Sequence, residues 1–418
     1  MENREKHIDR SVKSVLQQAM KDTRVVAIQG ARQTGKSTLA KELAFGPKDR
    51  YLTLDTTAVR ESARTNPADF IRQAPEGTLI IDEIQRVPDL ILEIKELVDT
   101  AQRPGQFLIT GSSDLSDLAG VEESLAGRME RVELMPFSQD ELKGAPSSFL
   151  EKAFTTGFKP EVKGDVLSRQ EYLELALSGG YPEVQKRSNR QRRNVWFDNY
   201  VKLLLEQATN ESKSSISTQI YMQLLNYLAS IGGKEVVIEN ICNDTNNKRF
   251  AVEYMLAELQ KLFLITLLPA WSTNLTNRAI KHPKIFLKDS GLASRLMHAD
   301  SSTTTDLTSS LAGQIFETFI FNELLRMASA QMNSYIFYHY RDSRKREVDL
   351  VIENENGKIV LIEIKASSTV TASDFKAINY LQEKHSDKVI LGFVVYTGST
   401  FLPFGKRQVA LPACCLWN

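Results

Sequence analysis

The sequence has few cysteines, no excess of charge of either sign and no long apolar run. Its three cysteines include the adjacent pair Cys414 and Cys415 and lack zinc-type spacing, which argues against a disulfide framework and favours a reducing cytoplasm. The longest apolar run, residues 262–271, is about half of the roughly 20 residues that span a bilayer. The opening segment MENREKHIDR contains no apolar signal core. We therefore expect a cytoplasmic protein without a membrane partner.

Positive and negative charges balance, with 52 Lys plus Arg and 52 Asp plus Glu. This balance excludes a general attraction to DNA or to an anionic surface, so any such affinity requires a local basic patch. One basic run consists of Lys186, Arg187, Arg190, Arg192 and Arg193. Such a run can contact nucleic-acid phosphates, but it is more often a solvated helix face.

The length of 418 residues exceeds what one core ordinarily supports, so we expect several domains. Between residues 24 and 142, short β-branched runs alternate with helical stretches, which predicts parallel strands joined by crossover helices in an α/β fold. Apolar residues near helical spacing predict a helix over residues 8–20, ahead of the first strand.

Longer helical periods follow this α/β region. Three helical segments between residues 220 and 271 lead into an apolar run, a pattern typical of a winged helix, although any small three-helix packing unit shows the same pattern. The hydroxyl-rich stretch at residues 301–310 predicts a linker, and the strands and helices beyond it predict a second, smaller α/β domain. The predicted division is an α/β domain at 1–145, a helical lid at 146–215, a winged-helix-like region at 216–300 and the second α/β domain at 301–418.

Residues 30–37, GARQTGKS, fit the pattern G-x-x-x-x-G-K-[ST] between a predicted strand at 25–29 and a helix that starts near Lys36. The glycines allow backbone N–H groups to turn inward on phosphates, and the helix adds its positive dipole end. Lys36 would bridge the phosphates, and Ser37 would ligate Mg²⁺ through its hydroxyl. The candidate nucleotide-binding residues are Gly30, Ala31, Arg32, Gln33, Thr34, Gly35, Lys36, Ser37, Thr38 and Asp82.

A second apolar strand, residues 79–82, ends in the acids Asp82 and Glu83. Asp82 would hold Mg²⁺ by way of water, and Glu83 would act as the general base that activates the attacking water. The alternative for this acidic pair is an N-cap of the next helix. ATP is favoured over GTP because residues 247–250, Asn-Lys-Arg-Phe, lack the acid of a guanine-reading Asn-Lys-x-Asp motif.

Two further candidates lie downstream. A third strand, residues 106–110, ends in Gly-Ser-Ser, and its hydroxyls would hold the hydrolytic water or sense the γ-phosphate. The sequence does not decide between Ser112 and Ser113, and we take Ser113 as the catalytic candidate. The preference of turns for serine would also explain the presence of both residues. Arg128 would supply transition-state charge in cis or to a neighbouring subunit, with a surface salt bridge as the alternative.

A second group of charged residues lies near the carboxyl end. Runs at 346–352 and 358–365 predict a hairpin, and a turn centred on Asn356 places Asp349 across from Glu363. Lys365 shares the face of Glu363, and this pairing suits a divalent metal. The predicted metal ligands are Glu317, Asp349 and Glu363, with Lys365 as a second-site catalytic residue and Glu323 as a weaker candidate. The D…ExK spacing also arises by chance in charged hairpins, so cleavage stays open.

These motifs occur together in an order that resembles a known family. They are GARQTGKSTL, LIIDEIQRVPDL, FLITGSS, LAGRMERVELMPFS, GGYPEV, FLKDSGLAS and the pair REVDLVIE and LIEIKAS. Over residues 24–380 the chain resembles the bacterial and archaeal ATPases that join an AAA-type P-loop domain to a C-terminal uncharacterised domain of the PD-(D/E)xK, restriction-endonuclease-like type.

The resemblance implies a P-loop NTPase parallel sheet of AAA-like type, then a helical and winged-helix region, then a small α/β restriction-endonuclease-like domain. Two departures are serines in place of the Asn commonly used as a γ-phosphate sensor, and the lack of a recognisable second sensor arginine. These departures leave ring assembly and the oligomeric state open.

We therefore expect a Mg²⁺-dependent ATPase whose nucleotide state controls a DNA-directed, nuclease-like C-terminal domain. The alternative is an ATP-gated interaction module that docks a protein partner through a catalytically inactive nuclease-like fold. A third hypothesis is that the ATP site is only structural.

Overall fold

The computed structural model describes residues 7–44, 46–112, 115, 125–155, 158, 166–211, 216–304 and 310–417. The chain divides into two compact units. The first comprises residues 1–137 with the short segments 261–263 and 329–332, and the second comprises 138–260, 264–328 and 333–418. The first unit ends just before the predicted boundary at residue 145, while the finer division of the rest stays a prediction.

The first unit is built on a five-stranded, all-parallel sheet of order β2-β3-β4-β1-β5. Its strands are β1 (Val25–Gln29), β2 (Arg50–Thr53), β3 (Leu79–Asp82), β4 (Phe107–Gly111) and β5 (Met129–Glu133). The predicted α/β fold of parallel strands is therefore confirmed for this unit. Parallel strands bring their carboxyl ends to one edge of the sheet, which is where ligands bind in open α/β folds.

Helices cover both faces of this sheet. They are α1 (Lys13–Asp22), α2 (Lys36–Glu42), α3 (Thr57–Thr65), α4 (Pro67–Phe70) and α5 (Leu90–Ala101). Side chains alternate between two buried clusters along β1, with Val25 and Ala27 in one and Val26 and Ile28 in the other. This double burial explains the nearly continuous apolar runs of the strands. The helix predicted over residues 8–20 begins later, at Lys13.

The second unit opens with helices and a two-stranded sheet. The helices are α6 (Gln139–Lys143), α7 (Phe149–Ala153), α8 (Arg169–Ser178), α9 (Pro182–Gln185), α10 (Arg190–Glu211), α11 (Thr218–Ser230), α12 (Ile238–Thr245), α13 (Arg249–Lys261), α14 (Leu275–Ile280), α15 (Ser290–Leu296) and α16 (Ser301–Thr304). The strands β6 (Ile265–Leu268) and β7 (Lys284–Leu287) are antiparallel. Part of the linker predicted at 301–310 is thus helical, and residues 305–309 lie outside the described part.

A six-stranded mixed sheet of order β12-β13-β11-β10-β9-β8 completes the second unit. Its elements are α17 (Ser310–Ser329), β8 (Tyr335–Arg341), β9 (Glu347–Asn354), β10 (Ile359–Lys365), α18 (Lys376–Lys384), β11 (Val389–Tyr396), β12 (Leu402–Gly405) and β13 (Gln408–Pro412). The last two strands were not predicted. Strand β12 is short, largely exposed and contains Pro403, so it carries the weak signal of an edge strand.

Candidate functional site

The phosphate loop connects the carboxyl end of β1 to the first turn of α2. Gly30 has φ 148°, and a Cβ built on it would lie 2.4 Å from the carbonyl oxygen of Leu134. Gly35, which directly precedes α2, has φ 99°. Both positions therefore require glycine, one because of a close backbone approach and both because of positive φ.

Lys36 is almost completely buried at the start of α2, with 4% of its surface exposed. Its Nζ donates hydrogen bonds to the carbonyl oxygens of Gly30 (3.0 Å) and Ala31 (2.8 Å). Burial lowers the pKa of Lys36 to about 8, although the charges of Glu83 and Asp82 oppose this shift. The ammonium group is therefore short of negative charge, which a phosphate group would supply.

Asp82 lies at the end of β3 and joins three neighbouring segments. Its Oδ1 accepts hydrogen bonds from Ser37 Oγ (2.9 Å) and Thr110 Oγ1 (2.6 Å), and its Oδ2 accepts one from Tyr51 OH (2.7 Å). Burial and the bond to Asp82 raise the pKa of Tyr51 above its usual value, so this phenol stays a donor. Ser37 and Asp82 thus come together as hard oxygen groups of the kind that Mg²⁺ prefers.

Glu83 has left-handed backbone angles, φ 60° and ψ 49°. Its backbone N–H donates to Thr110 Oγ1 (3.0 Å), and its Oε2 accepts from Ser112 Oγ (3.1 Å) and from Gln85 Nε2. Its side chain makes no capping bond to the short 3-10 helix that follows, so the N-cap interpretation is not supported. A non-glycine residue in this conformation is held there by its surroundings, and such strain clusters at functional sites.

Ser112 contacts Glu83, whereas Ser113 lies outside the described residues, so its proposed role stays a prediction. Ser112 Oγ also accepts a hydrogen bond from Gln85 Nε2 (2.9 Å). Ser112 was predicted only as the alternative to Ser113, and Tyr51, Thr110 and Gln85 were not predicted. The one available signal was that Tyr51 and Thr110 belong to the strands that flank β3.

Arg128 lies at the opposite edge of the sheet from the phosphate loop. Its carbonyl oxygen accepts from Val25 N at the amino end of β1, and its guanidinium pairs with Asp99 of α5, with Nη2 3.1 Å from Oδ2. A five-residue strand such as β1 is about 16 Å long. The structure therefore does not bring Arg128 to the loop of its own chain, and the in-cis role must be corrected. A role toward a neighbouring subunit stays a prediction.

Arg10, which was not predicted from the sequence, holds the phosphate loop in place through hydrogen bonds to the backbone. Its guanidinium donates to the carbonyl oxygens of Thr34 (3.1 Å) and Met135, and it lies 4.5 Å from the centre of the Phe137 ring. The residue is nearly buried. It therefore fixes the loop to the segment that follows β5.

The second cluster lies on β9, β10 and α17. The hairpin pairs Leu350 with Ile362, and this register continued by one residue places Asp349 opposite Glu363, as the turn at Asn356 predicted. Asp349 Oδ2 accepts from Ile364 N (2.8 Å), and Lys365 Nζ lies 2.7 Å from Glu363 Oε1. Burial, followed by repulsion from Asp349, raises the pKa of Glu363 to about 8.

Lys284 of β7, which the sequence analysis missed, lies within this cluster. Its Nζ is 2.8 Å from Glu347 Oε1, 3.2 Å from Glu317 Oε1 and 3.4 Å from Asp349 Oδ1. Burial alone would lower its pKa, but the three carboxylates hold the pKa of Lys284 above the usual lysine value. Burial, followed by Asp349, raises the pKa of Glu317 to about 8. The cluster therefore contains more carboxylates than its lysines neutralise.

Glu323, the weaker candidate, belongs to a different buried network. Its Oε1 pairs with Arg326 Nη1 (2.8 Å), and its Oε2 accepts from Gln139 N at the start of α6 (2.7 Å). Burial raises the pKa of Glu323 to about 7. These contacts give the residue a structural role in place of the metal-binding role considered from the sequence.

The basic run of the sequence is partly paired with acids of its own surface. Lys186 and Arg187 both contact Glu183, and Arg190 Nη2 lies 3.5 Å from Asp300 Oδ2. This pairing favours the solvated helix face over a patch for nucleic-acid phosphates. Within the described part of the chain, no helix is long and apolar enough to cross a membrane.

Comparison with known families divides the chain into three matches. Residues 22–143 match the AAA domain family, residues 169–303 match a domain of unknown function, DUF8612, and residues 312–416 match another, DUF4143. The first match and the phosphate loop together support an AAA-type P-loop ATPase domain in this region. The match at 312–416 does not identify a nuclease, so that part of the resemblance stays a prediction.

Two relatives and several solved structures share similarity with most of the chain. The chain is 26% identical over 401 residues to the uncharacterized proteins Rv2008c of Mycobacterium tuberculosis and Mb2031c of Mycobacterium bovis, covering 95% of this chain and 82% of each relative. A Walker-type ATPase of Pyrococcus abyssi is 17% identical with a TM-score of 0.45, covering 70% of this chain and 97% of that one. AMPPCP-bound DnaA of Aquifex aeolicus is 15% identical with a TM-score of 0.29, covering 60% and 85% respectively.

Proposed function

We propose that this chain binds ATP at the phosphate loop and hydrolyses it with Mg²⁺, in the cytoplasm. The proposal depends on Lys36, which is buried and, in the described part of the chain, has no carboxylate partner for its ammonium group. It lies beside the hydrogen-bonded pair Ser37 and Asp82, and Glu83 is held next to them. A purely structural lysine would be paired with a carboxylate, whereas Lys36 donates only to carbonyl oxygens among its hydrogen bonds in the described residues.

Ser37 and Asp82 would hold the metal in this proposal, Ser37 directly and Asp82 by way of water. When bound, Mg²⁺ supplies positive charge that stabilises the phosphate oxygens during transfer. Tyr51 and Thr110 orient the Asp82 carboxylate by donating to its two oxygens. Residues 30–38 surround the phosphates, and their backbone N–H groups carry most of that contact.

Glu83 would accept the proton of the attacking water. Its backbone N–H is fixed by Thr110, and one carboxylate oxygen is fixed by Ser112, so its second oxygen remains for the water. Lys36 would donate to the phosphate oxygens after exchanging its carbonyl partners. Ser113 and a neighbouring subunit's Arg128 remain candidates for contacting the γ-phosphate.

We further propose that the nucleotide state controls a DNA-directed activity of the second unit. Two features support this part. Helices α11, α12 and α13 are followed by the antiparallel strands β6 and β7, with α14 between them, and we interpret this order as a winged helix. The register of the β9–β10 hairpin, continued by one residue, brings Asp349 opposite Glu363, as the proposed site requires. In that activity Glu317, Asp349 and Glu363 would hold a divalent metal, and Lys365 would stabilise charge on a scissile phosphate.

A specific observation favours the alternative, an ATP-gated module that docks a protein partner. Lys284 forms ion pairs with Glu317 and Asp349, two of the three proposed metal ligands. Duplex DNA titrated at rising salt, with and without ATP, separates the two functions, because DNA contacts weaken with salt. Absence of binding at low salt refutes the DNA-directed function. Cleavage that is lost in both Asp349→Ala and Glu363→Ala refutes the docking function.

A further inference from the structure

We propose that the ammonium group of Lys284 occupies the acidic cluster in place of a divalent metal and so keeps the C-terminal site inactive. The inference rests on the proposed nuclease-like site and concerns its regulation. In this arrangement a metal binds to Glu317, Asp349 and Glu363 only after Lys284 is withdrawn. Cleavage, if the second unit performs it, therefore requires a movement of β7.

The ammonium group of Lys284 is surrounded by carboxylates. A lysine ammonium has three N–H donors, and Lys284 has one carboxylate oxygen within ion-pair distance for each of them, from Glu347, Glu317 and Asp349. The side chain is 2% exposed, so water does not compete for these donors. A buried cation of this kind offsets part of the negative charge of the site and has no free donor for a substrate.

Lys284 belongs to the two-stranded sheet, outside the C-terminal sheet, and backbone hydrogen bonds hold its strand in place. Strand β7 is paired with β6 on one side, and on the other side Gly233 N donates to Ile285 O (2.7 Å) and Val236 N donates to Pro283 O (2.7 Å). Gly233 also makes room for the acid, since a Cβ on it would lie 2.7 Å from Glu317 Oε2. The contact is therefore specified by backbone on both sides.

The carboxylates of the cluster, in their present positions, do not fit a divalent metal. Mg²⁺ requires near-octahedral oxygen ligands at about 2.1 Å. Within the part of the chain that the structure describes, only His7, Asp9 and Glu42 bring three acid or imidazole ligand atoms within 4.8 Å of one another. In the cluster, Asp349 Oδ2 is used by Ile364 N and Glu363 Oε1 by Lys365.

One oxygen in the cluster is left for another cation. Glu363 Oε2 is buried and has no hydrogen-bond partner among the described residues. Removal of Lys284 would release three more carboxylate oxygens beside it and leave them without a counter-charge. A divalent cation would then be the natural replacement, since buried carboxylates are paired or coordinate metals.

The test is Mn²⁺ binding to the full chain without nucleotide, measured by electron paramagnetic resonance and by thermal unfolding. The variants are Lys284→Met, whose side chain is one atom shorter and carries no charge, Asp349→Asn alone, and the two substitutions combined. We expect the affinity for Mn²⁺ to rise by roughly ten- to a hundredfold in Lys284→Met, the range over which groups around a metal site act. The gain should vanish in the double variant.

Either of two results overturns the proposal. The first result is that the wild-type protein already binds Mn²⁺ and that Asp349→Asn abolishes this binding. The second is that Lys284→Met folds but has no higher affinity for Mn²⁺ than the wild type. If Lys284→Met does not fold, Lys284→Gln, which also removes the charge, takes its place in the same comparison. Because no nucleotide is present, a failure of ATP hydrolysis leaves this comparison unaffected, so the two proposals fail separately.

Discussion

Replacing Glu83 with glutamine removes the proposed proton acceptor and leaves the surrounding contacts in place. The bond from the Glu83 N–H to Thr110 is made by backbone, and a glutamine oxygen still accepts from Ser112. The left-handed backbone conformation is equally accessible to both residues. The substitution therefore changes basicity and charge with little change of shape.

The expected loss follows from the role of a general base. Removing such a group costs about 10²- to 10⁴-fold in kcat, which corresponds to about 3–5 kcal/mol of transition-state stabilisation. ATP affinity should stay unchanged or increase, because the removed negative charge lies near the phosphates. Steady-state phosphate release and titration with a fluorescent ATP analogue measure the two quantities separately.

The matched control is Glu76→Gln in the same domain. Glu76 is exposed and pairs only with Lys48 among the described contacts, so its neutralisation should leave kcat unchanged. The reasoning is refuted if Glu83→Gln keeps kcat within about threefold of wild type. It is equally refuted if ATP binding falls in proportion to turnover, since Glu83 would then be a binding residue.

Three further predictions concern the same domain. Thr110→Val should destabilise the protein by about 1–3 kcal/mol in urea unfolding, because it removes one of the three hydrogen bonds to Asp82 and leaves the Glu83 N–H without its side-chain acceptor. Thr100→Val on the exposed face of α5 should have little effect, and equal effects of the two substitutions would contradict the prediction. Burial lowers the pKa of Lys36 from 10.5 to about 8, so the folded state binds fewer protons than the unfolded state between these values and stability rises with pH in that window. ATP binding should raise the pKa of Lys36 again, so the protein should take up protons near pH 8–9 when it binds ATP. Calorimetry would detect this uptake as a heat of binding that depends on the buffer, and a heat that is independent of the buffer would contradict the prediction. Arg128→Ala should leave turnover unchanged at low protein concentration, because its partner is Asp99, and a loss there would restore an in-cis role.

The sequence was sufficient for the parts of the site that depend on local patterns. The phosphate loop has a fixed spacing, and β1 and β3 are apolar runs whose carboxyl ends must share an edge in a parallel sheet. The proximity of Ser37 and Asp82 follows from these two facts. By contrast, Tyr51 and Thr110 are single polar residues near strand ends, and nothing in their spacing marks them.

The same distinction holds for the second cluster. The register of the hairpin could be predicted because a turn of known centre fixes every pair beyond it. Lys284 could not be predicted, because its position depends on how β7 packs against the C-terminal sheet. From the run KHPKIFL alone, Lys284 would be expected at the exposed edge of a strand. Only the tertiary structure shows that it is buried among carboxylates.

Steady-state ATP turnover by the purified full-length chain, compared with Lys36→Ala, tests the central claim most directly. We predict Mg²⁺-dependent phosphate release by the wild type and loss of this release in the variant. Without nucleotide, the thermal stability of the variant should equal or exceed that of the wild type, because the variant removes a buried ammonium group that has no carboxylate partner among the residues that the structure describes. A wild-type chain that neither retains nor consumes ATP, or a variant that consumes it at the same rate, would contradict the account.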